Sequence, residues 1–359
     1  MTIRSNGTAH TIDSATGDRE PRPCTVAGRR CCTRVEHCHP RFMPTPAPLP
    51  NDLASRAFTT REALARGVGA SRLRARDISQ PVRGVNLASR SEPTLIQRCR
   101  ALMQVLPPGS FISHDSAARL YGFPVGAGGT PSIHVTVPAP YRAPRRAQVI
   151  GHRATLTGTE WMRSAGFAHS TAARAWVELA STSLTLEEAV VAGDYIVRTR
   201  ETIRGYRPLA TLEELRAAAE QSADRRGSRL VSAALGAIRE GVDSPKETQL
   251  RLLLLRAGCP ELVVNEPILD ERGRVIVQPD LRIRDYRITL DYEGDHHRTS
   301  RRQWMRDIRR FRQLAGEEMV ALRVVGDDLE PPGVFEFLSD LQGELDRQGW
   351  AGRLRYRPN

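Results

Sequence analysis

Three carboxylates near the C-terminus, Asp280, Asp291 and Glu293, have a spacing that suits metal-dependent phosphodiester chemistry. Ile288, Leu290 and Tyr292 alternate with Thr289, Asp291 and Glu293, which places Asp291 and Glu293 on one face of a strand. Neighbours on such a face stand about 6.5 Å apart, a span that one divalent cation bridges through carboxylate oxygens. The pattern predicts two strands, Val275 to Ile283 and Arg287 to Glu293, with a turn near Arg284-Asp285-Tyr286. A hairpin folded there sets Asp280, preceded by Pro279, beside Leu290 and Asp291. Like charges so gathered repel unless a cation or protons relieve them. Mg²⁺ (or Mn²⁺) takes carboxylates, waters and a phosphate oxygen, and can then activate water and offset charge growing on a phosphodiester. An exposed strand face with solvated acids is the other reading of the same residues.

The residues that follow suit nucleic acid. After Gly294-Asp295, His297 has a side chain that titrates near neutrality and can serve as general acid or base. A helix expected over about 300–314 puts Trp304, Ile308, Phe311 and Ala315 on one face. Arg301, Arg302, Arg306, Arg309, Arg310 and Arg312 fill its other sides, and Arg298 precedes it. Acids cannot hold DNA, but arginines beside them can. Asp307 lies among them as a partner for Arg310 or Arg298; a solvated basic face remains the plainer alternative.

These residues need elements to position them. Ser244-Pro245-Lys246-Glu247 reads as a helix start, with Ser244 at the N-cap, Pro245 first in the helix and Glu247 three past the cap. Leu250, Leu253 and Leu254 continue it to Gly258, and Cys259-Pro260 ends it. Val320 to Val325 reads as a buried strand. Near the start of the chain, Thr59 to Glu62 reads as a capping box opening a short helix, which Gly67-Val68-Gly69 breaks. Ser71 is expected to cap a second short helix carrying Arg72, Arg74 and Arg76, followed by an extended Pro81-to-Leu87 segment that includes Arg83. Helix, turn, arginine-bearing helix and strand wing form a winged helix-turn-helix pattern whose guanidinium groups face phosphates and guanine edges. A small helical subdomain with solvated arginines is its alternative.

Between these ends, helices are expected near Leu95 to Leu106, Ser113 to Leu120, Thr171 to Leu179 and Leu186 to Val197, with strands at Ile133 to Val137 and Gln148 to Arg153. His114, His134, His152 and His169 are scattered singly, without the spacing of a metal site. Cys24, Cys31, Cys32 and Cys38 crowd the N-terminus beside His37 and His39, but the first gap is too wide for a zinc knuckle and no second pair follows. That segment has no hydrophobic period, so disorder is expected. Met43, just ahead of a proline-rich stretch, stands as an alternative start.

A net charge of +12 and a pI near 10.1 favour a polyanionic partner, double-stranded DNA ahead of a membrane surface. Lys246 is the only lysine, so GC-rich coding explains the arginine excess equally well. No apolar run approaches the length of a membrane span and no secretory signal is visible, so a soluble, cytoplasmic protein is expected.

Two stretches carry a family likeness. FTTREAL, PVRGVNL and SHDSAARLYGFP resemble the N-terminal half of AbiEi-type antitoxins of abortive-infection (type IV) toxin–antitoxin systems. That resemblance implies a winged helix on promoter DNA. SPKETQLRLLLLRAGCP, QPD, LDYEGDHHR, RRQWMRDIRRFRQL and ALRVVGDDL resemble a C-terminal domain of unknown function related to very-short-patch-repair endonucleases, in the PD-(D/E)XK nuclease superfamily. It implies a small mixed sheet flanked by helices and metal-dependent nicking or cleavage of DNA. Asp280 matches the first motif acid, Asp291 the second, and Glu293 stands where the lysine would be. Relatives usually read E-Y-D-G at Asp291-Tyr292-Glu293-Gly294, and the G-W pair common after the arginine helix is missing. Glu247 matches a helix acid found near the metal in many relatives, and its capping role explains it equally well.

The expected fold is α+β and multidomain. Residues 1–48 form an extension, 49–90 a winged helix-turn-helix, 91–205 a mixed α/β middle region and 206–240 a helical connector. Residues 241–330 form a restriction-endonuclease-like domain and 331–359 a C-terminal helix and tail. The expected function is DNA binding with Mg²⁺-dependent phosphodiester hydrolysis. The alternative is a non-enzymatic regulator or antitoxin, with a toxin or repair protein as partner.

Overall fold

Thr59 caps the first helix of note as its sequence predicts, its hydroxyl accepting the Glu62 N–H at 3.1 Å. The computed structural model describes residues 46–89, 91–125, 132–155, 160–202, 205–223, 226–294 and 318–358. Expectations for the N-terminal cysteines and Met43 lie outside these, as do those for His297, Arg298, Arg301, Arg302, Arg306, Asp307, Arg309, Arg310 and Arg312.

The N-terminal elements are α1 (Asn51–Ala54), β1 (Phe58–Thr59), α2 (Thr60–Ala65), β2 (Ile78–Val82) and β3 (Val85–Ala88). The capping box is half made, because the Glu62 carboxylate turns to Arg56 instead of back to the cap. Where a second helix was expected there is one 3₁₀ turn, Arg72–Arg74, with no hydrogen bond from the Ser71 side chain. Strand β2 begins too soon after Gly69 for an α-helix to grow, since helix nucleation needs several residues to repay its cost. Gly84, at φ +86°, makes the tight turn between β2 and β3, and the antiparallel sheet runs β1-β3-β2. Leu53, Phe58, Ala63 and Val68 form the core beneath it.

Helix α3 (Leu95–Met103) carries a complete capping box from Thr94 and Gln97. Beyond it lie β4 (Phe111–Ile112), α4 (His114–Tyr121), β5 (Ile133–Pro138), β6 (Arg145–Arg146), β7 (Val149–Ala154), β8 (Trp161–Ser164) and β9 (Phe167–Ser170). They build a mixed sheet ordered β6-β7-β5-β4-β9-β8, in which β5 and β7 pair in parallel. Ile133, Val135 and Val137 point into the core, so His134 and Thr136 face the other side.

Helices α5 (Ala172–Ala180) and α6 (Leu186–Val197) pack around the fully buried Trp176, whose indole N–H donates to Ala189 O at 2.7 Å. A hairpin of β10 (Arg200–Thr202) and β11 (Gly205–Arg207) precedes α7 (Leu212–Glu220) and α8 (Ser228–Ala237). The last two were expected as a connector. They are helical as expected, and Leu215, Val231, Ala234 and the following Ile238 join the Trp176 core.

Ser244 caps α9 (Pro245–Ala257), accepting the Glu247 N–H at 3.2 Å, and Gly258 closes it at φ +86°. Then come β12 (Leu262–Val264), β13 (Ile268–Leu269), β14 (Val275–Val277), β15 (Leu281–Ile283), β16 (Ile288–Tyr292), β17 (Val320–Val324) and α10 (Gly333–Arg347). The expected Val275-to-Ile283 strand is broken at Gln278-Pro279-Asp280, where proline has no N–H for a ladder; β14 pairs with β13, and β15 with β12 and β16. The sheet runs β12-β15-β16-β17, antiparallel except for a parallel last pair. Strand β17 is half-buried at the end of that order, not buried as expected. Leu250 and Leu254 pack with Leu281, Ile288 and Leu290 on one face, joined by Phe337, Leu341 and Leu345 of α10. The expected C-terminal helix is α10, and it packs into this core.

Two helices of different regions are tied by a buried ion pair. Arg251 of α9 meets Asp194 of α6 at 2.7 Å, and Thr248 Oγ1 and the Arg239 N–H also donate to that carboxylate. No helix among the described residues is long and apolar enough to cross a membrane.

Candidate functional site

The register Leu281↔Leu290 sets Asp280 next to Asp291. Leu281 and Leu290 enter the core, so both acids lie on the opposite face of the sheet. The Asp280 N–H donates to Asp291 Oδ1 at 3.1 Å, and the Tyr292 N–H donates to Asp280 Oδ2 at 2.7 Å. Each carboxylate is thus fixed by the backbone of the other's strand. Asp291 is buried and Asp280 half-buried.

Glu293 does not join them. Its backbone continues the ladder, its N–H donating to Val324 O at 2.8 Å, while its carboxylate pairs with Arg323 on β17 at 2.9 Å. The three acids do not form a set with ligand atoms within 4.8 Å of one another. Two carboxylates still match the chemistry of Mg²⁺, which commonly takes one or two from protein and fills its octahedron with water and phosphate oxygen. The three-acid geometry expected from alternation is therefore reduced to Asp280 and Asp291.

Glu247 is buried, and burial raises its pKa above the ordinary carboxylate value. Its Oε2 accepts the Asp243 N–H at 2.9 Å, so it closes the turn entering α9. Asn265 also braces the acid pair: its N–H donates to Asp280 O at 3.1 Å, and its side-chain amide donates to Gly241 O.

No protein-family model, curated protein or solved structure matches the chain.

Of the arginines expected at a DNA surface in the N-terminal region, Arg74, Arg76 and Arg83 are exposed. Arg72 is not available. Its two terminal nitrogens grip Asp77 at 2.8 and 2.7 Å, and its Nε donates to Ala47 O. It braces the 3₁₀ turn rather than facing solvent.

Sequence reading missed a second cluster. His134 Nδ1 and His152 Nε2 lie 3.1 Å apart, and the His114 ring stacks on His152 with centroids 3.6 Å apart. One ligand nitrogen from each lies within 4.8 Å of the others, and this is the one such group of three or more metal-ligating side chains among the described residues. Parallel pairing of Thr136 with His152 brings β5 and β7 side chains to one face, and His114 arrives as the first residue of α4. Burial pushes the His114 pKa down to about 4 and lowers those of His134 and His152. His169 stands apart, its Nε2 at 2.6 Å from Ser164 Oγ. No local spacing announces the trio, because strand pairing between distant segments creates it.

Proposed function

We propose that this is a DNA-binding protein whose C-terminal unit is built as a metal-dependent nuclease. The observation that carries the reading is the Asp280–Asp291 pair, two carboxylates cross-linked by backbone amides, one just ahead of β15 and one on β16, and turned from the apolar core. The helix, three antiparallel strands and final parallel strand around it suit the superfamily that the sequence resembles. The 3₁₀ turn and β2–β3 hairpin, with exposed Arg74, Arg76 and Arg83, suit phosphate contacts in the manner of a reduced winged helix.

Bound Mg²⁺ would be held by Asp280 and Asp291, and would supply Lewis-acid stabilisation and an activated water. The chain's own part is to hold both carboxylates in place, which the Asp280 and Tyr292 amides do by donating to Asp291 and Asp280 in turn. Supercoiled plasmid incubated with the full chain and Mg²⁺ or Mn²⁺ tests the reading. Nicking that disappears in Asp280→Ala supports it; intact plasmid with every metal rejects the enzyme.

A regulator without catalysis is the second reading, favoured by the Glu293–Arg323 pair, which leaves the motif's third position neutralised. Under it the protein shifts its own promoter fragment in a gel, and Asp280→Ala changes nothing.

A further inference from the structure

We infer that His114, His134 and His152 form a binding site for a late first-row transition-metal ion, with Zn²⁺ the best match. This site is separate from the acid pair and does not depend on the nuclease reading.

Three nitrogen donors are the ligand set of an open zinc site, whereas Mg²⁺ and Ca²⁺ require oxygen. Ligand nitrogens on a tetrahedral Zn²⁺ stand about 3.3 Å apart. His134 Nδ1 and His152 Nε2, at 3.1 Å, are already near that spacing. With the third nitrogen inside 4.8 Å, ring rotation completes the set.

The surroundings fit as well. His114 Nδ1 lies 3.1 Å from Ser113 Oγ and 3.5 Å from Glu178 Oε2, leaving Nε2 for the metal. A carboxylate behind a ligating imidazole is the usual orienting arrangement. Glu178 is itself fixed, accepting from the His114 N–H at 2.8 Å, Ser170 Oγ at 3.1 Å and Arg174 Nε at 2.8 Å. His114 has φ +49°, a left-handed backbone that a non-glycine residue seldom adopts, and its ring stacks on that of His152. His114 and His152 line a cavity of ≈ 980 Å³ shared with Arg153, Arg200 and Arg207, from which water or an anion can take the fourth position.

The test is Co²⁺ titration of the metal-stripped full chain, followed by visible absorption and reversed with Zn²⁺. The expected result is one equivalent with tetrahedral, imidazole-type bands, lost in His134→Ala and in His152→Ala. Glu178→Gln should weaken binding about 10–100-fold. Asp280→Asn and Asp291→Asn should leave the Co²⁺ spectrum unchanged, so failure of the nuclease reading leaves this site standing. No saturable binding, equal binding in the histidine variants, or thiolate charge-transfer bands alone would overturn the site. If those variants do not fold, Zn²⁺ protection against histidine acylation in the wild type decides: joint protection of all three supports the site, and its absence rejects it.

Discussion

Asp280 and Asp291 hold one another through a crossed pair of backbone contacts: the Asp280 amide binds the Asp291 carboxylate at 3.1 Å, and the amide after Asp291 binds Asp280 at 2.7 Å. Neither side chain can swing away without abandoning a hydrogen bond. Preorganised carboxylates of this kind lose little entropy on taking up a cation.

Asparagine keeps the acceptor oxygen at either position but removes the charge. Asp280→Asn and Asp291→Asn should therefore remain folded, with thermal midpoints within a few degrees of wild type. Plasmid nicking should fall about 100-fold or more, as loss of several kcal/mol of transition-state stabilisation requires. Glu293→Gln should cost far less, because that carboxylate is already paired with Arg323. Initial rates and melting curves measured on the same preparations separate the two effects.

The arginines near the 3₁₀ turn divide by burial. Arg72→Ala removes a bidentate partner of Asp77 in a largely covered pair and should destabilise by about 1–3 kcal/mol in urea unfolding. Arg74→Ala, Arg76→Ala and Arg83→Ala should leave stability within about 0.5 kcal/mol. Each should instead weaken DNA binding and lower the salt slope by about one. A stable Arg72→Ala that loses DNA binding would reverse these assignments.

Asp194 anchors α9 to α6 through Arg251, Thr248 and the Arg239 amide, with the ion pair almost fully buried. Asp194→Ala strands the guanidinium in the core and should cost about 3–5 kcal/mol. Chemical denaturation reads it directly, and a loss below about 1 kcal/mol would mean that the two regions do not depend on this tie.

Acid should weaken the metal-free fold through the histidine cluster. Unfolded imidazoles take up a proton below 6.5, whereas folded His114 resists until about 4. Between those values the unfolded state binds more protons, so stability falls as pH drops from 6.5 towards 4. Saturating Zn²⁺ should steepen that fall, since protons compete with the metal. Unfolding free energies across this range, with and without His114→Gln, measure the slope.

Much of the frame was legible because its signals are local. Thr59 and Ser244 act as helix caps, and Gly258 ends its helix with a left-handed backbone. The pairing of Asp280 with Asp291 followed from period-two alternation once the turn was located. What escaped was set by tertiary context. The fate of Glu293 depends on Arg323, supplied by a parallel strand that no hairpin rule could align. The histidine trio depends on β5–β7 pairing, and the role of Arg72 on an aspartate five residues on. Short strands such as β4, β8 and β9 carry too few residues for periodicity to register.

Binding of Mn²⁺ followed by its paramagnetic resonance signal tests the acid pair most directly, using the full chain in a His152→Ala background to exclude the histidines. One site is expected, lost in Asp280→Asn and in Asp291→Asn and retained in Glu293→Gln. Equal Mn²⁺ uptake by all four proteins would contradict it.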